Sequence, residues 1–449
     1  MINILILVFI IALGMVIRIF FPLGSFEAAA TYALGILMLC GFISGNLVKK
    51  IKFPAVTGYI LVGLLVGPFG LKLITAGNVR DLQLLNGLAL SIIALTAGGE
   101  IKLSGLKQNF KTINYILVFQ TLFIVTGITV LIILLKTFIP FFSDPANFPG
   151  LSSIIAAGLL VGIISTASSP STTLAVIVEC KKKNLMTQLI LSIVMLKDIV
   201  ILFLFVIGLS ISRTLVGGSD FNTGNLLRIF LEISGSLVVG IVIGFIIVLY
   251  LKFVKKDSII FILTLCFFGY EIFEPLHLHP LLIMMIAGFV VENFSSEGQT
   301  LIDNLEAISP PVYIIFFTLT GAAINITYLK TLWLLTILIV GFRLLFKYLG
   351  TYSGAKVAKE ENFIKKHMWM AFVSQAGLSL GMAKIIENSF SMFGGKIYTL
   401  IVSVIVVNQI IGPLLLKFFL DMPGCNGKEP RSYTKKREGI KEEKNVRRS

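Results

Sequence analysis

Apolar runs of bilayer length recur along almost the whole chain. They predict helices over 3–21, 31–48, 54–74, 84–102, 112–138, 150–179, 186–211, 226–252, 258–274, 277–293, 309–327, 331–357, 367–387 and 397–420. A helix needs about 20 mostly apolar residues to cross a hydrocarbon layer about 30 Å thick. Composition agrees. The chain is 56% hydrophobic and 14% charged, where a soluble domain carries about 25% charged residues. The chain is therefore expected to be an all-α polytopic membrane protein of about 13–14 transmembrane helices.

The formal charge of +15 is not the footprint of a nucleic-acid binder. About a quarter of the excess lies in the last 30 residues, and the rest sits largely in short loops. That distribution fits membrane topology and contact with anionic lipid. Cys40, Cys180, Cys266 and Cys425 are widely spaced, follow no CxxC pattern and read as structural apolar residues.

Basic residues orient the spans. Lys49, Lys50 and Lys52 follow the second span, and Lys102, Lys107 and Lys111 the fourth. Lys181, Lys182 and Lys183 follow the sixth, and Lys252, Lys255 and Lys256 the eighth. Lys356, Lys359, Lys365 and Lys366 follow the twelfth, and a basic tail follows the last. Loops after odd spans carry one or two basic residues at most. Both termini are thus expected in the cytoplasm of a multi-pass cell-membrane protein. The acidic loop with Glu292, Glu297, Asp303 and Glu306 is an exception that weighs little. Ala28-Ala29-Ala30 resembles a signal-peptidase site, but the first span lacks the basic n-region of a signal peptide. Residues 1–422 form the membrane domain, and 423–449 read as a disordered, charged cytoplasmic tail.

Two features violate the rules of an apolar solvent. Ser165-Thr166-Ala167-Ser168-Ser169-Pro170-Ser171-Thr172-Thr173 interrupts the span over 150–179, and Lys197-Asp198 sits mid-span in 186–211. Proline lacks an amide hydrogen and clashes with the turn before it, so Pro170 should break or kink the helix. The hydroxyls could instead bond back to their own helix. A broken helix at mid-depth offers carbonyl oxygens to a cation and half-helix ends that need countercharge. At about 1.5 Å per residue, Pro170 and Asp198 fall at similar depth, roughly 14 and 18 Å from the cytoplasmic ends of two antiparallel neighbours. A carboxylate there has a desolvation cost of about 2.5–3.5 kcal/mol or more, so it binds a cation or takes up a proton. That alternation is the chemistry of cation/proton exchange. Two roles stay open for Lys197: a structural partner of another oxygen, or a second titrating group.

Arg343 lies mid-span in 331–357 and needs a countercharge; Asp198, Glu232 and a broken-helix C-terminus are the candidates. Snorkelling is a fair account of Lys347 and a poor one of Arg343. The span over 309–327 opens with Pro310-Pro311 and carries Thr318-Leu319-Thr320-Gly321. An interrupted helix followed by a helix with a central charge thus occurs twice in opposite orientations, the pattern of inverted-topology repeats. Gln375, Asn408 and Gln409 read as interhelical hydrogen-bonding groups. His277 and His279 lack the further ligands a metal site needs. There is no Walker motif and no nucleophile–histidine–carboxylate grouping, so neither an ATP-driven pump nor an enzyme is expected.

In sequence order, six stretches resemble the cation:proton antiporter superfamily, with its sodium/proton exchanger-type transmembrane domain. They are Phe53-Pro54 through Gly67-Pro68, Leu95 through Glu100, Ser168-Ser169-Pro170, Lys197-Asp198, Ala287 through Asn293, and Phe316 through Gly321. The resemblance covers roughly residues 31–420. It implies an NhaA/NapA-like antiporter fold with two crossed broken helices, a homodimer, and core helices over about 112–211 and 309–420. The remaining helices would form a scaffold. It also implies elevator-type alternating access and an ion site where the spans 150–179 and 309–327 cross. Asp198, Ser168, Ser169 and Thr166 would bind the ion, with Lys197, Arg343 and Thr320 modulating the site. Two departures stand out. Lys197 replaces the family's first acidic or amide residue, and Arg343 substitutes for a lysine kept by some electrogenic members in the preceding span. One carboxylate implies one cation per proton, hence electroneutral exchange of Na+ or K+ with no cofactor. A partner-gated K+ efflux pathway and a non-transporting sensor or scaffold are the alternatives.

Overall fold

The computed structural model describes residues 2–20, 26–146, 148–182, 184–217, 223–254, 257–273, 275–276, 278–375 and 377–427. Every regular element among them is helical. In chain order these are α1 (Ile2–Phe20), α2 (Phe26–Lys50), α3 (Ala55–Val66), α4 (Ala76–Asp81), α5 (Gln83–Gly99), α6 (Leu103–Leu135) and α7 (Pro140–Ser143). There follow α8 (Leu151–Thr166), α9 (Pro170–Glu179), α10 (Leu185–Leu215), α11 (Thr223–Leu249), a π-helical turn (Tyr250–Val254), α12 (Ser258–Phe273), α13 (Pro280–Phe294) and α14 (Gly298–Ala322). The chain then forms α15 (Ile326–Val357), α16 (Asn362–His367), a 3₁₀ turn (Met368–Phe372), α17 (Gly377–Ser389), α18 (Gly394–Asp421) and α19 (Pro423–Gly427). Among the described residues, eight helical spans are long and apolar enough to cross a membrane, counting α8 and α9 together as one, and five shorter apolar helices of 10–17 residues accompany them. Of the expected tail, five residues form α19, while 428–449 lie outside the described residues.

The chain divides into two units. The first contains Met1–Lys102, Pro170–Cys180 and Phe230–Thr331. Glycines let its helices touch backbone to backbone, the usual way apolar helices associate without a hydrophobic drive. A Cβ on Gly98 of α5 would stand 1.9 Å from the carbonyl oxygen of Met285 in α13, and one on Gly63 of α3 would stand 2.0 Å from that of Thr318 in α14. These contacts give a packing role to glycines of the motifs that carry the family resemblance. Both carboxylate oxygens of Glu179, at the end of α9, accept from the Ala55 amide at 2.9 and 2.7 Å and so cap α3 behind Pro54.

The second unit contains Leu103–Ser169, Lys181–Ile229 and Leu332–Ser449. In it α8 is gripped by α6 and α10, and α17 lies along α18. The core runs from Ile124 and Ile128 through Ile154, Leu160 and Ile164 to Ile339, Leu400 and Ile405. The expected core segments, 112–211 and 309–420, are divided differently. Pro170–Cys180 and the residues up to Thr331 belong to the first unit, because α9 packs on α3 and α5, and α14 on α2, α3 and α5.

The structure corrects the expected pair of interrupted helices. The first break is where Pro170 puts it: α8 ends at Thr166, Ala167 turns extended at φ −53°, ψ 146°, and α9 restarts at Pro170. Proline suits a first helical position, where its missing N–H has no partner to lose. The second break is not in 309–327. There α14 runs unbroken through Pro310 and Pro311. Just before the prolines, the Ser309 hydroxyl donates to the Leu305 carbonyl at 2.8 Å. Hydroxyl bonds of this kind, and neighbouring helices, let proline stay inside membrane helices. The second break falls in the expected helix over 367–387, where Val373, Ser374 and Gln375 are non-helical between the 3₁₀ turn and α17.

Candidate ion site

The two breaks in the second unit are bonded to each other. The Ser169 amide donates to the Ser374 carbonyl at 2.9 Å. The Ser168 hydroxyl donates to the Phe372 carbonyl at 2.9 Å. The Gln375 side-chain amide donates to the Ile164 carbonyl at 2.9 Å and accepts from Asn408 of α18 at 3.1 Å. Each link satisfies a backbone or amide group freed by unwinding, which an apolar interior requires. Gly412 of α18 permits the crossing, since its Cβ would meet the Ser374 Cα at 2.5 Å.

Three cationic side chains converge here, each 0% exposed: Lys197, Arg343 and Lys347. Arg343 and Lys347 are four residues apart on α15 and therefore share a face. Arg343 donates from Nε to the Ser165 carbonyl at 2.8 Å, from Nη2 to the Ala167 carbonyl at 2.8 Å and from Nη1 to the Val373 carbonyl at 2.9 Å. One guanidinium thus spans both breaks with bonds of ordinary charge-assisted length. Of the candidate countercharges for Arg343, the structure selects the broken-helix C-terminus, where unpaired carbonyls sum to a partial negative charge. Glu232 lies in the first unit. Lys347 does not snorkel. Its Nζ donates to the Thr166 and Ala167 carbonyls at 3.3 Å each and to the Ser168 hydroxyl at 3.2 Å.

Lys197, on α10, donates to Gln120 Oε1 of α6 and, at 3.4 Å, to the Ser168 hydroxyl. Its ammonium also lies over the Phe372 ring, 4.6 Å from the centroid. Gln120 passes the polarity on: its Nε2 donates to Thr351 Oγ1 at 2.5 Å, and Thr351 donates to the Lys347 carbonyl at 2.7 Å. Close helix packing permits this, because a Cβ on Gly350 of α15 would stand 2.6 Å from the Gln120 Cα.

Asp198 follows Lys197 on α10 and so points about 100° away around the helix. No hydrogen bond or ion pair joins the two side chains. Asp198 as a whole is half-buried, while its Oδ1 is fully buried and has no hydrogen-bond partner. Of the other residues expected to bind the ion, Ser168 sits between both lysines. Ser169 is held by its backbone to Ser374. Thr166 offers its carbonyl to Lys347, while its hydroxyl donates back to the Gly162 carbonyl at 3.2 Å. Thr320 lies in α14, within the first unit. Sequence reasoning did not assign Lys347, Gln120, Thr351, Phe372 or Ser374 to the site. Gln120, an amide well inside the apolar run over 112–138, and the small polar run Ser374-Gln375-Ala376-Gly377 were the available signals.

Two relatives align along nearly their whole length. The probable Na(+)/H(+) antiporter 3 of Methanocaldococcus jannaschii is 25% identical over 406 residues, 88% of this chain and 98% of its own. The Na(+)/H(+) antiporter of Enterococcus hirae is 23% identical over 394 residues, 86% of this chain and 97% of its own. The fold matches that of the sodium proton antiporter MjNhaP1 from Methanocaldococcus jannaschii, with TM-score 0.67 at 17% identity, covering 88% of this chain and 96% of that one. Residues 34–421 match the transmembrane sodium/hydrogen exchanger family, and the chain belongs to that family.

Proposed function

We propose that the chain is a monovalent cation/proton antiporter in which Asp198 alternately holds a cation, Na+ or K+, and a proton. The observation that carries this reading is the unsatisfied carboxylate. Arg343, Lys197 and Lys347 direct their donors to carbonyl, amide and hydroxyl oxygens. Asp198 Oδ1 is buried and bonded to nothing. A buried carboxylate oxygen without a donor is costly, and a cation or a proton relieves that cost. The two are then mutually exclusive ligands of one group. The relatives named as Na(+)/H(+) antiporters support the same reading.

With a single carboxylate changing its occupant, one cation exchanges for one proton and no net charge moves. Loaded with either ligand, Asp198 is neutralised and the site can cross the bilayer in an elevator-type step. Empty and ionised, it has a desolvation cost of about 2.5–3.5 kcal/mol or more, which opposes that step. This prevents uncoupled leak. We further propose a homodimer in the cell membrane with a cytoplasmic C-terminus. The basic loops after even-numbered predicted spans support that orientation.

The test is flux in proteoliposomes with an internal pH dye, an imposed Na+ or K+ gradient and clamped voltage. Coupled, voltage-independent proton movement that is lost in Asp198→Asn is expected. Saturation-free conductance without proton coupling would instead identify a K+ efflux pathway. Absence of ion flux from a folded wild type would identify a non-transporting scaffold.

A further inference from the structure

Arg343 and Lys347 both serve the unwound end of α8, yet they are held differently. Arg343's three bonds are 2.8–2.9 Å long, the usual range for charged donors. Lys347 sits at 3.2–3.3 Å from each of three oxygens: the Thr166 carbonyl, the Ala167 carbonyl and the Ser168 hydroxyl. It is centred in an oxygen cage rather than bonded tightly to one partner.

Donor counting matches the ammonium form. The Ser168 hydroxyl gives its one proton to the Phe372 carbonyl, so it can only accept from Lys347. The two carbonyls can only accept. Three acceptors therefore face Nζ, matching the three donors of an ammonium. A neutral amine has only two N–H groups and would turn its lone pair on one of these oxygens. The cage also closes the negative end of the α8 half-helix, where a cation belongs. Carbonyl oxygens of an unwound helix plus a serine hydroxyl are the ligand types that take a dehydrated monovalent cation in broken-helix transporters.

We infer that the Lys347 ammonium is a built-in cation: it fills an oxygen cage at the helix break that would otherwise admit a second transported ion, and so restricts exchange to the single cation at Asp198. Lys347 is then a stoichiometry-determining residue that never leaves with the substrate. It also explains how three buried positive groups share a site with one carboxylate. Two of them replace ions or water that the broken backbone would otherwise recruit.

The inference deepens the antiport reading and rests on it for the transport readout, but not for the binding readout. Cation binding is followed by thermal shift of the purified full-length protein titrated with NaCl, and separately with KCl, at constant ionic strength. At saturating cation, the slope of stabilisation against the logarithm of cation concentration should correspond to about one bound ion in wild type and about two in Lys347→Met, which keeps the stem and loses the ammonium. In proteoliposomes at zero voltage, a tenfold cation gradient should be balanced by about one pH unit in wild type and about two in Lys347→Met. The variant should also become voltage-sensitive. In Lys347→Ala, methylammonium, a free copy of the lysine head, should bring the slope back toward one.

A wild-type slope near two overturns the inference, whether or not any variant folds. So does a folded Lys347→Met, or Lys347→Gln if the methionine variant is unstable, whose slope and balance point match wild type. If wild type binds a cation but moves no protons, the antiport reading fails, while the binding slopes still decide the cage.

Discussion

Ser169 and Ser374, 205 positions apart in sequence, share a 2.9 Å backbone hydrogen bond where the two broken segments cross. A single N–H to C=O contact in place of two helical ones shows how the crossing is built. Each break uses the other as its partner, and Arg343, Gln375 and Asn408 satisfy what remains.

The crossing depends on one glycine that contributes no side chain. A Cβ at position 412 would stand 2.5 Å from the Ser374 Cα and 2.6 Å from its backbone nitrogen. Neither atom can move without shifting the bond to Ser169. Gly412→Ala should therefore cost about 1–3 kcal/mol, the range for overpacking a close contact. It should also depress cation flux more than its stability loss explains. Thermal unfolding in detergent and proteoliposome flux, measured side by side, check this. Wild-type behaviour in both would show that α18 does not constrain the break.

Arg343 is the larger structural commitment. Its loss frees the carbonyls of Ser165, Ala167 and Val373 at once. Arg343→Met should destabilise the protein by on the order of 3–5 kcal/mol, as when one partner of a buried charged network is removed. Arg343→Lys should rescue only partly, since a point ammonium cannot reach three carbonyls spread over two segments as the planar guanidinium does. The ranking wild type, lysine, methionine in unfolding temperature is the expected result. Equal stability of the two variants would contradict the bridging role.

The sequence made some of this site readable and concealed the rest for identifiable reasons. Pro170 broke its helix because proline acts locally, through a missing N–H and a clash. Lys197-Asp198 stood out because charges are rare at mid-span. The second break carries no such local mark. Pro310-Pro311 is the stronger breaker on paper, yet α14 continues through it. The segment that does unwind, Val373 to Gln375, has no proline. What stabilises that break is distant in sequence: Ile164, Ser169, Arg343 and Asn408. Lys347 was misread for a related reason. Position along a span suggests how far a lysine is from water, but not whether a neighbouring helix end offers it oxygens.

Lys197 tests whether a buried ammonium takes part in the cycle or only holds the site open. Its bonds to Gln120 and Ser168 and its place over Phe372 leave no donor directed at Asp198. It should therefore hold Gln120 and Ser168 in place throughout the cycle. Lys197→Asn should then slow exchange by distorting Ser168 and Gln120, while the exchange that remains stays voltage-insensitive. A voltage response present in only one of the two proteins would show instead that Lys197 exchanges a proton during transport.

Asp198→Asn separates the structural from the transport role of the carboxylate most cleanly. Buried groups usually lose stability when their partners go, but Asp198 Oδ1 has no partner to lose. Replacing this half-buried carboxylate, whose Oδ1 has no donor, with a neutral amide of the same shape removes part of a desolvation cost of about 1–3 kcal/mol. The variant should thus unfold at the same temperature as wild type or higher, while coupled cation/proton exchange disappears. The thermal shift that sodium or potassium gives wild type should vanish with it, because the ion has lost its counter-charge. A variant that is markedly less stable would point to a donor that Asp198 holds in the folded protein. A variant that still exchanges cations for protons with wild-type pH dependence would move the site away from Asp198 altogether.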